Sequence, residues 1–156
     1  MWQDFAEYIL NEIGSKETKI AEIGIGKFNK VSEELSKIDN ITLIKTDINP
    51  NDDSIIKDDI TNPDIRLYED VDIIYSIRPP SELQPHIINL ALKINSQLII
   101  KPLTNEDLNS GRTKMKLKNY KKDIGRKTRC LFALFIIFHT FFSPHIQSAG
   151  VIPPTS

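Results

Sequence analysis

One cysteine, Cys130, among 156 residues excludes a disulfide framework within the chain and fits a reducing cytoplasm. The three histidines, His86, His139 and His145, are scattered and have no cysteine pair beside them, so no metal-ligand spacing is present. No serine stands in a Gly-x-Ser-x-Gly turn, which removes the usual hydrolase elbow. The longest apolar run, Cys130–Phe142, has 13 residues, short of the ~20 that a membrane-crossing helix needs. The chain opens on an acidic amphipathic stretch and shows no secretory signal, so a cytoplasmic location is expected. Glycine is scarce at six residues, so two of them set two positions apart are informative.

Charge is unevenly spread. Residues 1–111 hold 11 Lys/Arg against 20 Asp/Glu, whereas residues 112–129 hold nine Lys/Arg against Asp123 alone. Residues 130–156 carry no Lys, Arg, Asp or Glu. An acidic body is thus followed by a basic segment and an apolar one. This predicts a domain over residues 1–122 and an extension over 123–156 outside its core. The extension has three readings: an accessory or non-native tail, which is favoured; an anchor to a membrane or partner through 130–142; or part of the core.

Trp2, Phe5, Ile9 and Ile13 mark one face of a helix that Gly14 ends. Lys19–Ile23 reads as a buried strand, and Phe28, Val31, Leu35 and Ile38 predict a second helix over about 27–38. Ile41–Thr46 is a strand ending at Asp47, Ser54–Lys57 a short one, and Val71–Ile77 a stronger one. Ser81 and Gln84 have the spacing of a capping box before the helix marked by Leu83, Ile87, Leu90, Ala91 and Ile94. Gln97–Ile100 is a further strand, and Thr113–Tyr120 alternates as a strand with one wet face. Strand and helix alternate, which predicts an α/β fold: Rossmann-like, a mostly parallel open sheet with helices on its faces. The compressed stretch 48–70 omits a full helix, leaving an apolar sheet face exposed and predicting a homodimer.

Chemistry concentrates at the ends of the predicted strands. Glu22-Ile23-Gly24-Ile25-Gly26 joins a strand to a helix, where glycines let the backbone turn sharply and a ligand come close. The following helix N-terminus is expected to aim its free N–H groups at that ligand. A dinucleotide site would carry a third glycine where this chain has Asn29. An acid two positions before the first glycine, with no third glycine, resembles the first motif of S-adenosylmethionine-dependent methyltransferases. That resemblance places Glu22 near the methionine end of the cofactor. Asp47 ends its strand 23 residues after Gly24, where an acid can bond both ribose hydroxyls; starting a turn before Asn49-Pro50 is its plainer use. In methyltransferase-like folds an acid after the third strand bonds the adenine amino group and an apolar neighbour packs on the ring. Asp59 and Ile60 match that pair.

Arg78-Pro79-Pro80 ends the fourth strand, where a substrate enters this kind of sheet. Enzymes that methylate exocyclic amines often carry an Asn/Asp-Pro-Pro-aromatic motif there. Arg78 takes the place of that acid or amide, which weakens an amine acceptor and favours an anionic partner for its planar fork. A salt bridge to a nearby acid is the plainer alternative. Lys114, Lys116, Lys118, Lys121 and Lys122 with Tyr120 would suit nucleic-acid phosphate, although lysines on an edge strand more often keep that edge solvated.

Glu22-Ile23-Gly24-Ile25-Gly26-Lys27-Phe28, Thr46-Asp47-Ile48, Asp58-Asp59-Ile60-Thr61-Asn62-Pro63, Ile74-Tyr75-Ser76-Ile77-Arg78-Pro79-Pro80 and Ile100-Lys101-Pro102-Leu103 together resemble a small archaeal group, uncharacterised protein family 0146. The resemblance covers roughly residues 1–121 and implies a minimal, truncated methyltransferase-type domain. The combined expectation is S-adenosylmethionine as cofactor, held by Glu22, Gly24, Gly26, Asp47, Asp59 and Ile60, with Arg78 and Pro79 facing a small-molecule or RNA substrate. No residue stands out as a general base. A non-catalytic module for NAD or another nucleotide is the competing expectation.

Overall fold

The computed structural model describes residues 2–104, 108–118 and 134–137. Helix α1, Trp2–Ile13, leads into strand β1, Thr18–Ile23; the Gly14 N–H donates to the Leu10 carbonyl at 3.0 Å and closes the helix. There follow α2 (Lys30–Leu35), β2 (Ile41–Asp47), β3 (Ile56–Lys57), a 3-10 turn (Ile65–Tyr68), β4 (Ile73–Ile77), α3 (Gln84–Lys93) and β5 (Gln97–Lys101). Two further strands, β6 (Lys116–Lys118) and β7 (Leu134–Ile137), complete a seven-stranded sheet in the order β3-β2-β1-β4-β5-β7-β6. Strands β1 to β5 pair in parallel, while β7 runs antiparallel to both β5 and β6.

Strand alternation sorts the side chains into two layers. Ile20, Ile73, Tyr75 and Ile99 face one way and pack with Phe5, Ala6 and Ile9 of α1 and Val31 and Leu35 of α2. Ala21, Ile23, Ile74, Leu98 and Ile100 face the other way, against Ile87, Ile88, Leu90 and Ala91 of α3 and Tyr68 of the 3-10 turn. Burying one such Ile, Leu or Phe contributes ~1.5–3 kcal/mol. That packing, rather than helix propensity, holds α2, whose six residues would not persist alone.

Several elements differ from the sequence expectation. Helix α2 begins at Lys30 rather than near Lys27, because Ile25–Phe28 closes a turn in which the Phe28 N–H donates to the Ile25 carbonyl at 3.3 Å. Strand β3 shrinks to Ile56–Lys57. Ser81 and Gln84 form no capping box: α3 starts at Gln84, with Leu83 at its cap. The buried Gln84 side chain instead donates to the Pro79 carbonyl at 3.2 Å and accepts from the Asn109 N–H at 2.6 Å. Two consecutive prolines hold the chain extended, so the helix begins only after a further turn. Strand β6 keeps three residues of the expected 113–120 segment, whose last two lie outside the described residues. Leu134–Ile137, from the extension expected outside the core, takes a place in the sheet between β5 and β6. Its β-branched and aromatic residues suit a strand. The truncation falls on helices, since the 3-10 turn alone lies between β3 and β4 and, among the described residues, no helix joins β5 to β6. No helix among the described residues is long and apolar enough to cross a membrane.

The order of strands decides where a ligand fits. From β1 the chain moves outward through β2 to β3, then returns to β4 on the other side of β1 and continues to β5. Loops leaving β1 and β4 therefore part in opposite directions and open a crevice at the carboxyl ends of the strands.

Candidate functional site

A cavity of about 340 Å³ occupies that crevice, within the size range of small-molecule sites. Gly24, Asp47, Asp59, Ile60, Arg78 and Pro79 all line it, so the structure brings six of the eight residues singled out from sequence to one place. Glu22 and Gly26 do not line it.

Gly24 and Gly26 have φ of +69° and +57°, backbone that L side chains adopt only at a cost of ~1–2 kcal/mol. A Cβ built at Gly24 meets nothing within 4 Å, so its glycine serves the turn itself and leaves open space at the cavity wall. The Gly26 N–H is already engaged, donating to Asp47 Oδ2 at 2.8 Å. Asp47 Oδ1 accepts from the Asn49 N–H, also at 2.8 Å. One carboxylate thus starts the turn after β2 and ties the glycine loop to it, while each oxygen keeps lone-pair capacity for a hydroxyl. The expected helix N-terminus is absent from the site: α2 begins four residues after Gly26 and none of its residues lines the cavity.

Asp59 is half-buried, and its Oδ1 accepts from both the N–H (2.9 Å) and the hydroxyl (2.7 Å) of Thr61. Those bonds hold its carboxyl below the usual range. Among the described residues its Oδ2 has no hydrogen-bond donor. Asp58, next to it, serves the fold. Its Oδ2 accepts from the hydroxyl of the buried Tyr68 at 2.5 Å, and its Oδ1 accepts from the Asp64 N–H at 3.0 Å. Thr46 Oγ1 lies 3.2 Å from the same Tyr68 oxygen. This joins the 3-10 turn to β2 and sets the loop that carries Asp59. A Tyr68→Phe variant is expected to lose about 1–2 kcal/mol in urea titration; undiminished stability would mean that the loop is held by packing alone.

Glu22 sits one residue before Ile23, so alternation sends its side chain to the α1–α2 layer, away from the cavity. It is 1 % exposed, and Oε2 accepts from the Tyr75 hydroxyl at 2.6 Å. Burial pushes its carboxyl up to about 7, opposed by the Tyr75 bond, the Lys45 charge and a bond from Ser32. Tyr75 in turn is raised well above its ordinary value by burial and by the Glu22 charge.

Arg78 extends the β4–β5 pairing by one bond, its N–H donating to the Lys101 carbonyl at 2.7 Å. Its φ of +52° is left-handed, a strain of order 1–3 kcal/mol at a non-glycine residue. The exposed guanidinium lies over the ring of Trp2, with Cζ 5.1 Å from the centroid. The salt bridge that is its plainer use is absent among the described residues. Sequence reasoning placed Trp2 only on an apolar helix face and missed this contact. It also missed Ile48, which lines the cavity while 51 % exposed; an apolar residue directly after Asp47, inside a polar turn, was the available signal. Thr46 and Ser76 also line the cavity, at the ends of β2 and β4.

The model of the Uncharacterised protein family (UPF0146) matches residues 2–127. This chain belongs to UPF0146. A UPF0146 protein of Methanothermobacter thermautotrophicus is 43% identical over 120 residues, covering 77% of this chain and 89% of that one. Another, from Methanocaldococcus jannaschii, is 47% identical over 114 residues, covering 68% and 80%. Among solved structures, a mutant of MtNAS superposes with a TM-score of 0.56 at 15% identity over 87% of this UPF0146 chain. MtNAS in complex with MTA and tNA gives 0.55, again at 15% identity and 87% coverage. The mutant in complex with S-adenosylmethionine gives 0.51 at 12%. The UPF0146 chain spans 60–62% of that longer protein. At these identities the likeness is one of fold, and the UPF0146 fold is Rossmann-like with methyltransferase-type topology.

Proposed function

We propose that the cavity takes S-adenosylmethionine and that this UPF0146 protein transfers its methyl group. One observation carries the reading: Gly24, Asp47, Asp59 and Ile60, from the ends of three successive strands, line one cavity in the order in which an adenosine would need them. Asp47 would accept from the ribose hydroxyls and the unused Oδ2 of Asp59 from the adenine amino group. Ile60 and Ile48 offer apolar surface to the ring. The methionine end would then run toward β1 and β4. There Glu22 stays behind the sheet, bonded to Tyr75, and Arg78 and Pro79 border the path of the acceptor. The likeness to a protein solved with S-adenosylmethionine agrees with this reading.

In the reaction the acceptor's lone pair attacks the methyl carbon. The carbon–sulfur bond breaks with its electrons to sulfur, leaving S-adenosylhomocysteine. A cavity that holds the two reactants in line supplies most of what such a step needs.

The test is calorimetric titration of the full chain with S-adenosylmethionine, S-adenosylhomocysteine and NAD, alongside Asp59→Asn. Asparagine keeps the acceptor that Thr61 uses but turns the free oxygen into a donor, so the loop survives while recognition of the adenine amine does not. Micromolar binding of the first two ligands is expected, weakened about tenfold or more in the variant at unchanged melting temperature. Binding of neither, or tighter binding of NAD, overturns the proposal.

A further inference from the structure

The cavity is lined by an arginine whose charge no acid among the described residues answers. Twenty acidic residues precede position 112, yet among the described residues none pairs with Arg78. Its guanidinium lies over Trp2 instead, and Trp2 packs on Phe28 of the glycine turn with ring centroids 4.3 Å apart. A cation–π contact is not a hydrogen bond, so it leaves the guanidinium N–H donors available. The Lys101 ammonium lies 5.5 Å from the same ring centroid, so a second cation adds to the positive potential there. Burial first, and the Arg78 charge second, lower Lys101 to about 8. The two cations on one ring at the end of β4 and β5 repel each other, and an anion beside the exposed one, Arg78, relieves that repulsion. Arg78, left-handed in its backbone and followed by Pro79 and Pro80, lines the cavity at the end of β4.

We propose that Arg78, set on Trp2, is the receptor for a carboxylate or phosphate carried by the methyl acceptor. The acceptor class rests on the cofactor reading above; the anion site does not. The cofactor's own carboxylate has the same chemistry, and the experiment separates the two sources.

Trp2 is the only tryptophan of the chain, so its fluorescence reports on the site. The full chain is titrated with sodium phosphate and with sodium acetate, against sodium chloride at matched ionic strength. A saturable change is expected in the parent protein, about tenfold weaker or absent in Arg78→Gln and partly kept in Arg78→Lys. A response identical in Arg78→Gln, or matched by chloride, overturns the anion site. For the source, Arg78→Gln is titrated with S-adenosylhomocysteine and with 5′-methylthioadenosine, which lacks the carboxylate. Unchanged affinity for both supports the acceptor assignment. Loss confined to S-adenosylhomocysteine assigns the anion to the cofactor and overturns it. Failure of both ligands to bind the parent protein sinks the cofactor reading while the phosphate and acetate titrations still decide the anion site.

Discussion

Glu22→Gln is expected to remove a loss of stability that the parent protein suffers as pH rises from about 4.5 to about 7. The Glu22 carboxyl is buried beside Tyr75 and raised from 4.5 to about 7. Between those values the folded protein holds a proton that the unfolded chain releases. The group's contribution is therefore fully present below the unfolded value and disappears as pH rises through the folded one. The difference corresponds to about 3 kcal/mol once the carboxyl is fully ionised, at about pH 8. Glutamine cannot ionise, yet still accepts from the Tyr75 hydroxyl. Urea titrations of parent and variant should agree near pH 4 and diverge toward pH 8, with the variant the more stable at the higher value. Parallel curves would show that the carboxyl stays ionised throughout.

A second large effect is expected at Asp47. Its two oxygens accept from the Gly26 and Asn49 N–H groups in the free protein and, on the proposed reading, from both ribose hydroxyls in the complex. Asp47→Ala should lower the stability of the free protein by about 1–3 kcal/mol, because two loop amides lose a charged acceptor. The same change should weaken S-adenosylhomocysteine by about 100-fold or more, since two charge-assisted bonds go at once. Loop damage alone would weaken every adenosine ligand alike, so the ribose hydroxyls are removed as well. Parent protein should prefer adenosine over 2′,3′-dideoxyadenosine, and the variant should bind the two equally, as a double-mutant cycle requires of coupled groups. A preference that survives in the variant would leave Asp47 as a loop tie only.

Much of this site was legible because its signals are local. Gly24 and Asp47 announce themselves by type, by spacing and by position after a strand pattern. Asp59 was separable from Asp58 only by the resemblance to methyltransferases; both line the cavity, and the structure supplies the physical difference, since Tyr68 and the Asp64 amide occupy both oxygens of Asp58 while Thr61 uses only one of Asp59. Alternation within β1 puts Glu22 and Ile23 on opposite faces, but sequence does not say which face the crevice opens on. Glu22 and Tyr75 are 53 positions apart, and Trp2 meets Arg78 only because α1 packs on the sheet face to which Tyr75 of β4 belongs. Ser81 and Gln84 show the opposite error, a local motif overridden by tertiary contacts: Gln84 is taken by Pro79 and Asn109 before it can cap anything.

The sequence by itself determined the alternation of strands and helices, the glycine turn after β1 and the acids at the tips of β2 and β3, because periodicity and turn chemistry are properties of neighbours along the chain. Only the tertiary structure decided the strand order that opens the crevice at β1 and β4, the burial of Glu22, the seating of Arg78 on Trp2 and the insertion of β7 beside β5. Each depends on which distant segments pair and in what register, and those pairings are chosen by burial of the whole sheet rather than by any one stretch of residues.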